Sequence, residues 1–238
     1  MSAQKTDFTD QVVLVVGGAR GIGAAAATLI KSRGGIVYPL DISLPADNNI
    51  DMGDKKSIQA TVDRIFQKHL RIDAVINCAG IVGPTNVKAE DVNWDDYQKV
   101  LTINLFGTIW LTQSVLGYMK KAKYGRIVHV ASIAGKEGNP GMSPYNTSKS
   151  GMIGFIKGVA KEVASEGITI NAVAPAVIAT PMNADTSEET LKYMISRIPM
   201  GRLGQSEEVA ELLAFIASEA CSFTTGFTFD ASGGRATY

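Results

Sequence analysis

The sequence predicts an α/β fold: a parallel, doubly wound sheet of about seven strands with helices on both faces. Three observations carry that expectation. Short apolar runs rich in β-branched residues alternate with longer helical patterns across 238 residues. The runs are continuously apolar, as strands covered on both faces must be. No repeat, low-complexity tract or linker divides the chain, so residues 1–238 are expected to form one domain.

Taken in order, VVLVV (Val12–Val16) reads as a buried first strand, and residues 21–33 as an alanine-rich helix. IVYPL (Ile36–Leu40) is the second strand, and IDM at 50–52 is expected to be a short third. Later strands fall at 74–76, 126–132, 168–174 and 227–230, with helices at 55–69, 94–121, 145–165 and 206–218. Only nine residues, ISLPADNNI, separate Asp41 from Asp51. A parallel crossover usually needs about a dozen residues and a helix. This stretch is a poor helix, so an irregular crossover and a thinly covered sheet edge are expected.

Lysine plus arginine equals aspartate plus glutamate, 23 each, which leaves no broad basic field for nucleic acid or anionic lipid. The polar start MSAQKTDFTD lacks the apolar core of a signal peptide, and no uninterrupted apolar run has membrane-spanning length. Cys78 and Cys221 sit among apolar neighbours and read as buried thiols, with room for one disulfide and none for a metal site. A cytoplasmic protein without nucleic-acid or membrane partners is the expectation. His129 alternates with valines and reads as a core residue, and His69 as a helix-end surface residue.

GGARGIGA (17–24) joins the first strand to the first helix. Glycines there let the backbone turn tightly against a pyrophosphate, whose charge then meets a helix N-terminus. By itself such a loop is a weak signal, equally a tight bend; its place between a β-run and a helix favours the nucleotide. Asp41 ends the second strand, eighteen residues after Gly23. Its carboxylate suits the ribose hydroxyls of NAD and would repel a 2′-phosphate by about 4 kcal/mol at 4 Å before screening. Arg20 argues the other way, as a guanidinium that could pair with that phosphate. NAD is therefore preferred to NADP.

Further along stand NCAG (77–80), Asn104, Ser132, and SPYNTSK, in which Tyr145 precedes Lys149 by about one helical turn. NAVAPAVIATPM (171–182) and TGFTFDASGG follow. With Gly17, Gly21 and Gly23, this ordered set resembles the short-chain dehydrogenase/reductase family over nearly the whole chain. The resemblance implies a Rossmann-type domain and an NAD(P)-dependent oxidoreductase acting on CH–OH groups. It casts Tyr145 as general acid/base, Ser132 as the hydroxyl holding the substrate oxygen, Asn104 as anchor of a proton-relay water and Lys149 as the ribose-binding lysine. It assigns cofactor contacts to Gly17, Arg20, Gly21, Ile22, Gly23, Asp41, Asp51, Met52, Asn77, Ala79, Gly80, Tyr145, Lys149, Pro175, Val177, Ile178 and Thr180. Departures from the family pattern are Val16, Cys78 and Ala176, none of them at the presumed chemistry.

The chemistry explains the residue types. Hydride transfer makes or consumes an alkoxide, so one group must move a proton at that oxygen and another must steady the charge. A phenol near its reference pKa of about 10 needs neighbouring positive charge to act as a base. Lys149 and an oxidised nicotinamide are expected to supply it. Singly, Ser132 could be a backbone cap and Asn104 a polar residue bending a long helix; only their joint, ordered occurrence favours catalysis.

The substrate is expected to be a small alcohol or ketone, enclosed by a loop at about 176–203. Candidate substrate contacts are Ser132, Ala134, Lys136, Asn139, Tyr145 and Met182. The loop SIAGKEGNP and the ending SGGRATY are similar to family members acting on sugar acids such as 2-keto-3-deoxy acids. A 3-oxoacyl-thioester reductase using NADPH is the alternative, and a non-catalytic dinucleotide-binding scaffold or redox sensor the alternative of another class. The resemblance also implies a homotetramer built on the helices at 94–121 and 145–165, with Tyr238 reaching towards a neighbouring subunit.

Overall fold

The structure, a computed structural model, describes residues 6–181 and 187–238. Six strands form one parallel sheet: β1 (Val12–Val16), β2 (Ile36–Leu40), β3 (Ala74–Asn77), β4 (Gly125–Val130), β5 (Ile168–Pro175) and β8 (Thr228–Ala231). Their order across the sheet is β2-β1-β3-β4-β5-β8, with Val16 in register with Leu40 on one side and Asn77 on the other. The direction of winding reverses at β1, so a crevice opens beyond the carboxyl ends of β1 and β3. A two-stranded parallel ribbon, β6 (Ile178–Ala179) and β7 (Gly204–Gln205), stands apart from the main sheet.

Because successive strand residues face opposite sides, β1 feeds two cores at once. Val12, Leu14 and Val16 pack with α2 (Lys55–His69), α4 (Gly107–Ala122) and α6 (Ser143–Val163) through residues such as Ile65, Leu111 and Met152. Val13 and Val15 pack on the other side with α1 (Gly21–Ser32) and α8 (Ser206–Ile216) through Ile30 and Leu213. All five residues of β1 are buried, as a strand covered on both faces requires. By contrast β2, the edge strand, is buried only at Leu40. The stretch after Asp41 is irregular apart from a 3₁₀ turn at Ala46–Asn48, but the connection continues through α2 to β3, so the crossover carries a helix and the expected helix-less one is not formed.

The strand at 50–52 does not form, and the main sheet has six strands. Ile50 and Met52 are buried while Asp51 is half-buried, which mimics strand alternation. The segment is a turn: Asp51 Oδ1 accepts the Gly53 N–H at 2.7 Å, and Asp54 then caps α2 by accepting the Lys56 N–H. The helix expected at 94–121 is α3 (Trp94–Leu101), a π-helical segment (Thr102–Phe106) and α4 in one continuous rod. Although no apolar run is uninterrupted, this 29-residue rod has the length and hydropathy of a membrane span. One face of it packs into the core, where its buried threonines bond to the helix itself, and Trp94 and Phe106 are exposed. The shorter elements are α5 (Ala134–Glu137) and α7 (Glu188–Ser196).

Candidate active site

A cleft of about 320 Å³ lies at the winding reversal, lined by Gly17, Arg20, Gly21, Ile22, Gly23, Asp41, Asp51, Met52, Ala79, Gly80 and Thr180. The glycine-rich turn is built by close approach. Gly17 has φ +76° and its backbone passes so near Ala79 that an added Cβ would stand 2.7 Å from the Ala79 nitrogen. A Cβ on Gly23 would overlap the Gly17 carbonyl oxygen. Helix α1 starts without a side-chain cap and with no acidic residue in its first turn. Its unbonded N–H groups and positive dipole end are therefore offered to the cleft. This cradle fits the pyrophosphate of a dinucleotide.

Most of the other assigned contacts distribute around it. Asp41 is half-buried at the cleft wall; its Oδ1 accepts the Ser43 N–H at 2.9 Å and hydroxyl at 2.8 Å, and nothing among the described residues bonds the second oxygen. Arg20 is exposed at the N-terminus of α1. Buried Asn77 donates to Thr108 Oγ1 and accepts the Ala79 N–H, which fixes the strand end below the cleft. Pro175, Val177 and Ile178 do not line this cleft: Pro175 accepts the Ile133 N–H, and Val177 and buried Ile178 line a second cavity with Ile198, Met200 and Ser232. Sequence reasoning missed Ile42, Ile50, Ile81, Ile103 and Pro181, apolar lining residues with no polar signature.

Asn104 occupies the π-helical segment and is fully buried. Its Oδ1 accepts the Ile81 N–H at 2.9 Å, while Nδ2 donates to the Ile81 carbonyl at 2.9 Å and to Ser148 Oγ at 3.1 Å. Its own carbonyl accepts the Thr108 hydroxyl. The side chain thus braces the loop after β3 against α6. A water held at Asn104 has only the spare lone pairs of Oδ1 or the main-chain carbonyl. A π-turn at this place is what gives the asparagine its aim.

The Ser132 hydroxyl lies close enough to the Tyr145 phenol to act on its ionisation. Ser132 Oγ also accepts the Ala134 N–H at 3.1 Å, so the capping role and the candidate catalytic role coexist. Pro144 in the first turn of α6 favours a helix start there. One turn on, Lys149 is buried; its ammonium donates to the Val130 carbonyl at 2.7 Å and lies 5.7 Å from the Tyr145 ring centroid. Burial lowers the Lys149 pKa to about 8. Burial raises that of Tyr145 above its ordinary value, and the neighbouring Ser132 hydroxyl opposes the rise. The sequence suggested a phenol lowered by Lys149 and an oxidised nicotinamide acting together. Among the chain's own groups desolvation dominates, so they alone keep Tyr145 protonated, as an acid.

The remaining candidates sit away from open solvent or outside the described residues. Ala134 is buried at the start of α5. Lys136 is paired with Asp230, and Asn139 accepts from Arg235. Met182 lies outside the described residues. His129 is fully buried against Thr112, and His69 ends α2 half-buried with Nε2 2.7 Å from the Tyr38 hydroxyl. Both cysteines are free.

Comparison with known proteins agrees with this geometry. Residues 17–236 match the family described as enoyl-(acyl carrier protein) reductase. The chain is 39% identical to a 2-dehydro-3-deoxy-L-rhamnonate dehydrogenase (NAD(+)) of Sphingomonas sp. (strain SKA58), with 100% of both proteins covered. It is 38% identical to the 3-oxoacyl-[acyl-carrier-protein] reductase FabG of Thermotoga maritima, covering 94% of this chain and 97% of that one. The crystal structure of gox2181 superposes with a TM-score of 0.93 at 32% identity over 97% of each chain. With the glycine cradle, the winding reversal and the Ser132–Tyr145–Lys149 cluster in place, the chain belongs to the short-chain dehydrogenase/reductase family and is an oxidoreductase.

Proposed function

We propose that this protein uses NAD to interconvert a secondary alcohol and a ketone on a sugar acid or polyol. The observation that carries the cofactor choice is Asp41, a carboxylate at the cleft wall with one oxygen held by Ser43 and the other free for ribose hydroxyls. Among the described residues no cation pairs with it, so it would repel a 2′-phosphate. The relative named as an NAD(+)-dependent sugar-acid dehydrogenase, matched end to end, supports the same reading.

A nicotinamide bound here supplies the hydride. The chain's own groups do the rest. In reduction, Tyr145 gives its proton to the carbonyl oxygen as charge develops there, and Ser132 donates a hydrogen bond to the same oxygen. In oxidation, Tyr145 must first lose its proton and then take one from the alcohol. Lys149 holds the ribose end, its position fixed by Val130.

A second reading, an NADPH-dependent 3-oxoacyl-thioester reductase, rests on Arg20 in the cleft lining and on the relatives bearing that name. A panel of polyols, sugar acids and acetoacetyl thioesters, each run with NAD and NADP, separates the two. Turnover of a sugar acid or polyol with NAD is the expected result; equal or better use of NADP, or preference for the thioester, overturns it.

We also propose a homotetramer. Trp94 and Phe106 are exposed on the α3–α4 rod, and nothing approaches Gly154 or Gly158 on α6, leaving space for another helix. Tyr238, expected to reach a neighbour, instead donates to the Lys136 carbonyl of its own chain. Sedimentation at micromolar concentration is expected to give a tetramer; a monomer there rules it out.

A further inference from the structure

The C-terminal residues after β8 are tied to the loop that joins Ser132 to Tyr145. Arg235 is the centre of the tie. Its Nε donates to Glu137 Oε2 at 3.0 Å and a terminal nitrogen donates to Asn139 Oδ1 at 2.9 Å, with 8% of its side chain exposed. Alongside, Lys136 Nζ pairs with Asp230 at 3.1 Å, and the Tyr238 hydroxyl donates to the Lys136 carbonyl at 2.8 Å. All four cationic and anionic groups are thereby paired with each other, so none of them is a free anion site.

The same loop is locked to the catalytic helix from the inside. The Asn139 N–H donates to Asn146 Oδ1 at 3.1 Å, and Asn146 Nδ2 donates back to the Asn139 carbonyl at 2.8 Å. Asn146 is the residue after Tyr145. Gly135 lies against the Lys149 backbone, where a Cβ would stand 2.8 Å from its carbonyl carbon, and the Ser150 hydroxyl donates to the Gly135 carbonyl at 2.9 Å. Ser132 and Tyr145 are thus the two ends of a loop whose closure depends on the Asn139–Asn146 exchange. Arg235 fixes Asn139 from outside.

We propose that Arg235 is a positioning residue: by holding Glu137 and Asn139 together it sets the distance between Ser132 and Tyr145. The inference rests on the catalytic reading of that pair. Misplacing reacting groups by about 1 Å costs up to about 100-fold in rate. The guanidinium fork serves two acceptors at once, which a lysine ammonium cannot match in the same plane.

The test uses the full-length enzyme and the substrate with highest turnover in the panel above. Arg235→Met is expected to lower kcat by about 10- to 100-fold, with the cofactor Kd and the melting temperature little changed. Arg235→Lys should recover part of the loss. Asn139→Ala should lower kcat similarly, and the double variant should fall no further, because both act through one connection. Since the nearby Ser132 hydroxyl holds the phenol's pKa down, moving the two apart shifts the alkaline limb of the reduction rate to higher pH. A merely structural role leaves that limb where it was. A kcat within twofold of the parent, an unmoved limb, or losses that multiply in the double variant each overturn the proposal. Tyr145→Phe run in parallel separates the failures. If it is inactive while Arg235→Met is normal, only the positioning role falls; if it stays active, the catalytic reading falls with it.

Discussion

Tyr145→Phe is expected to lower turnover by about 10²- to 10⁴-fold in both directions while cofactor affinity stays nearly intact. The substitution removes one oxygen and leaves the ring beside the Lys149 ammonium. Direction and pH then separate. Burial raises the phenol above its ordinary 10, so in the unmodified enzyme the proton donor is present throughout the neutral range. Ketone reduction should hold there and decline only in the alkaline range, as the phenol ionises. Alcohol oxidation needs the ionised phenol and should rise with pH. Rates of both directions against pH, followed by cofactor absorbance, check the sign. Retained turnover in the phenylalanine variant would falsify the acid/base role.

The second large effect concerns stability in acid. His129 is fully buried, and burial lowers its pKa from 6.5 to about 3. The unfolded chain therefore binds a proton between about pH 3 and 6.5 that the folded chain refuses. Stability contributed by the neutral imidazole is complete above pH 6.5 and is lost as pH falls towards 3. That gap corresponds to about 5 kcal/mol at the acid end. The hydrogen bonds fix the tautomer: the Thr112 hydroxyl already donates to the Thr108 carbonyl, so His129 Nε2 donates to Thr112 and Nδ1 is left an unpaired acceptor. His129→Gln keeps a donor for Thr112 and has nothing to titrate. Urea unfolding at pH 7 and pH 4 should show a much smaller acid loss in the variant than in the parent. Equal losses in both would exclude His129 as the cause.

The alternation of apolar runs and helices was legible because burial on both faces leaves a continuous apolar signal, as in VVLVV. The cofactor cradle was legible too, since close backbone approach demands glycine at Gly17 and Gly23. Other features left no such mark. Residues 50–52 imitate a strand because a turn can also place alternate residues in and out. The π-helical segment at Asn104 is hidden in a helical pattern that averages over a turn, and the four-residue spacing of Asn104, Thr108 and Thr112 is that of an ordinary α-helix. The direction of the Tyr145 shift depends on burial, which spacing does not reveal. Arg235 joins partners 96 and 98 residues away in sequence, and no local pattern announces a contact at that range.

The π-helical segment has a consequence for chain length. A π-turn amounts to one residue inserted into an α-helix. Elsewhere in the rod from Trp94 to Ala122, losing a residue would turn everything downstream by about 100° and take Leu111, Val115 and Met119 off the core. Within Thr102–Phe106 the same loss would only convert the segment to regular helix, with both flanking faces still in place. What disappears is the aim of Asn104. At this one place packing fixes the composition of the rod, and the candidate active site alone fixes its count.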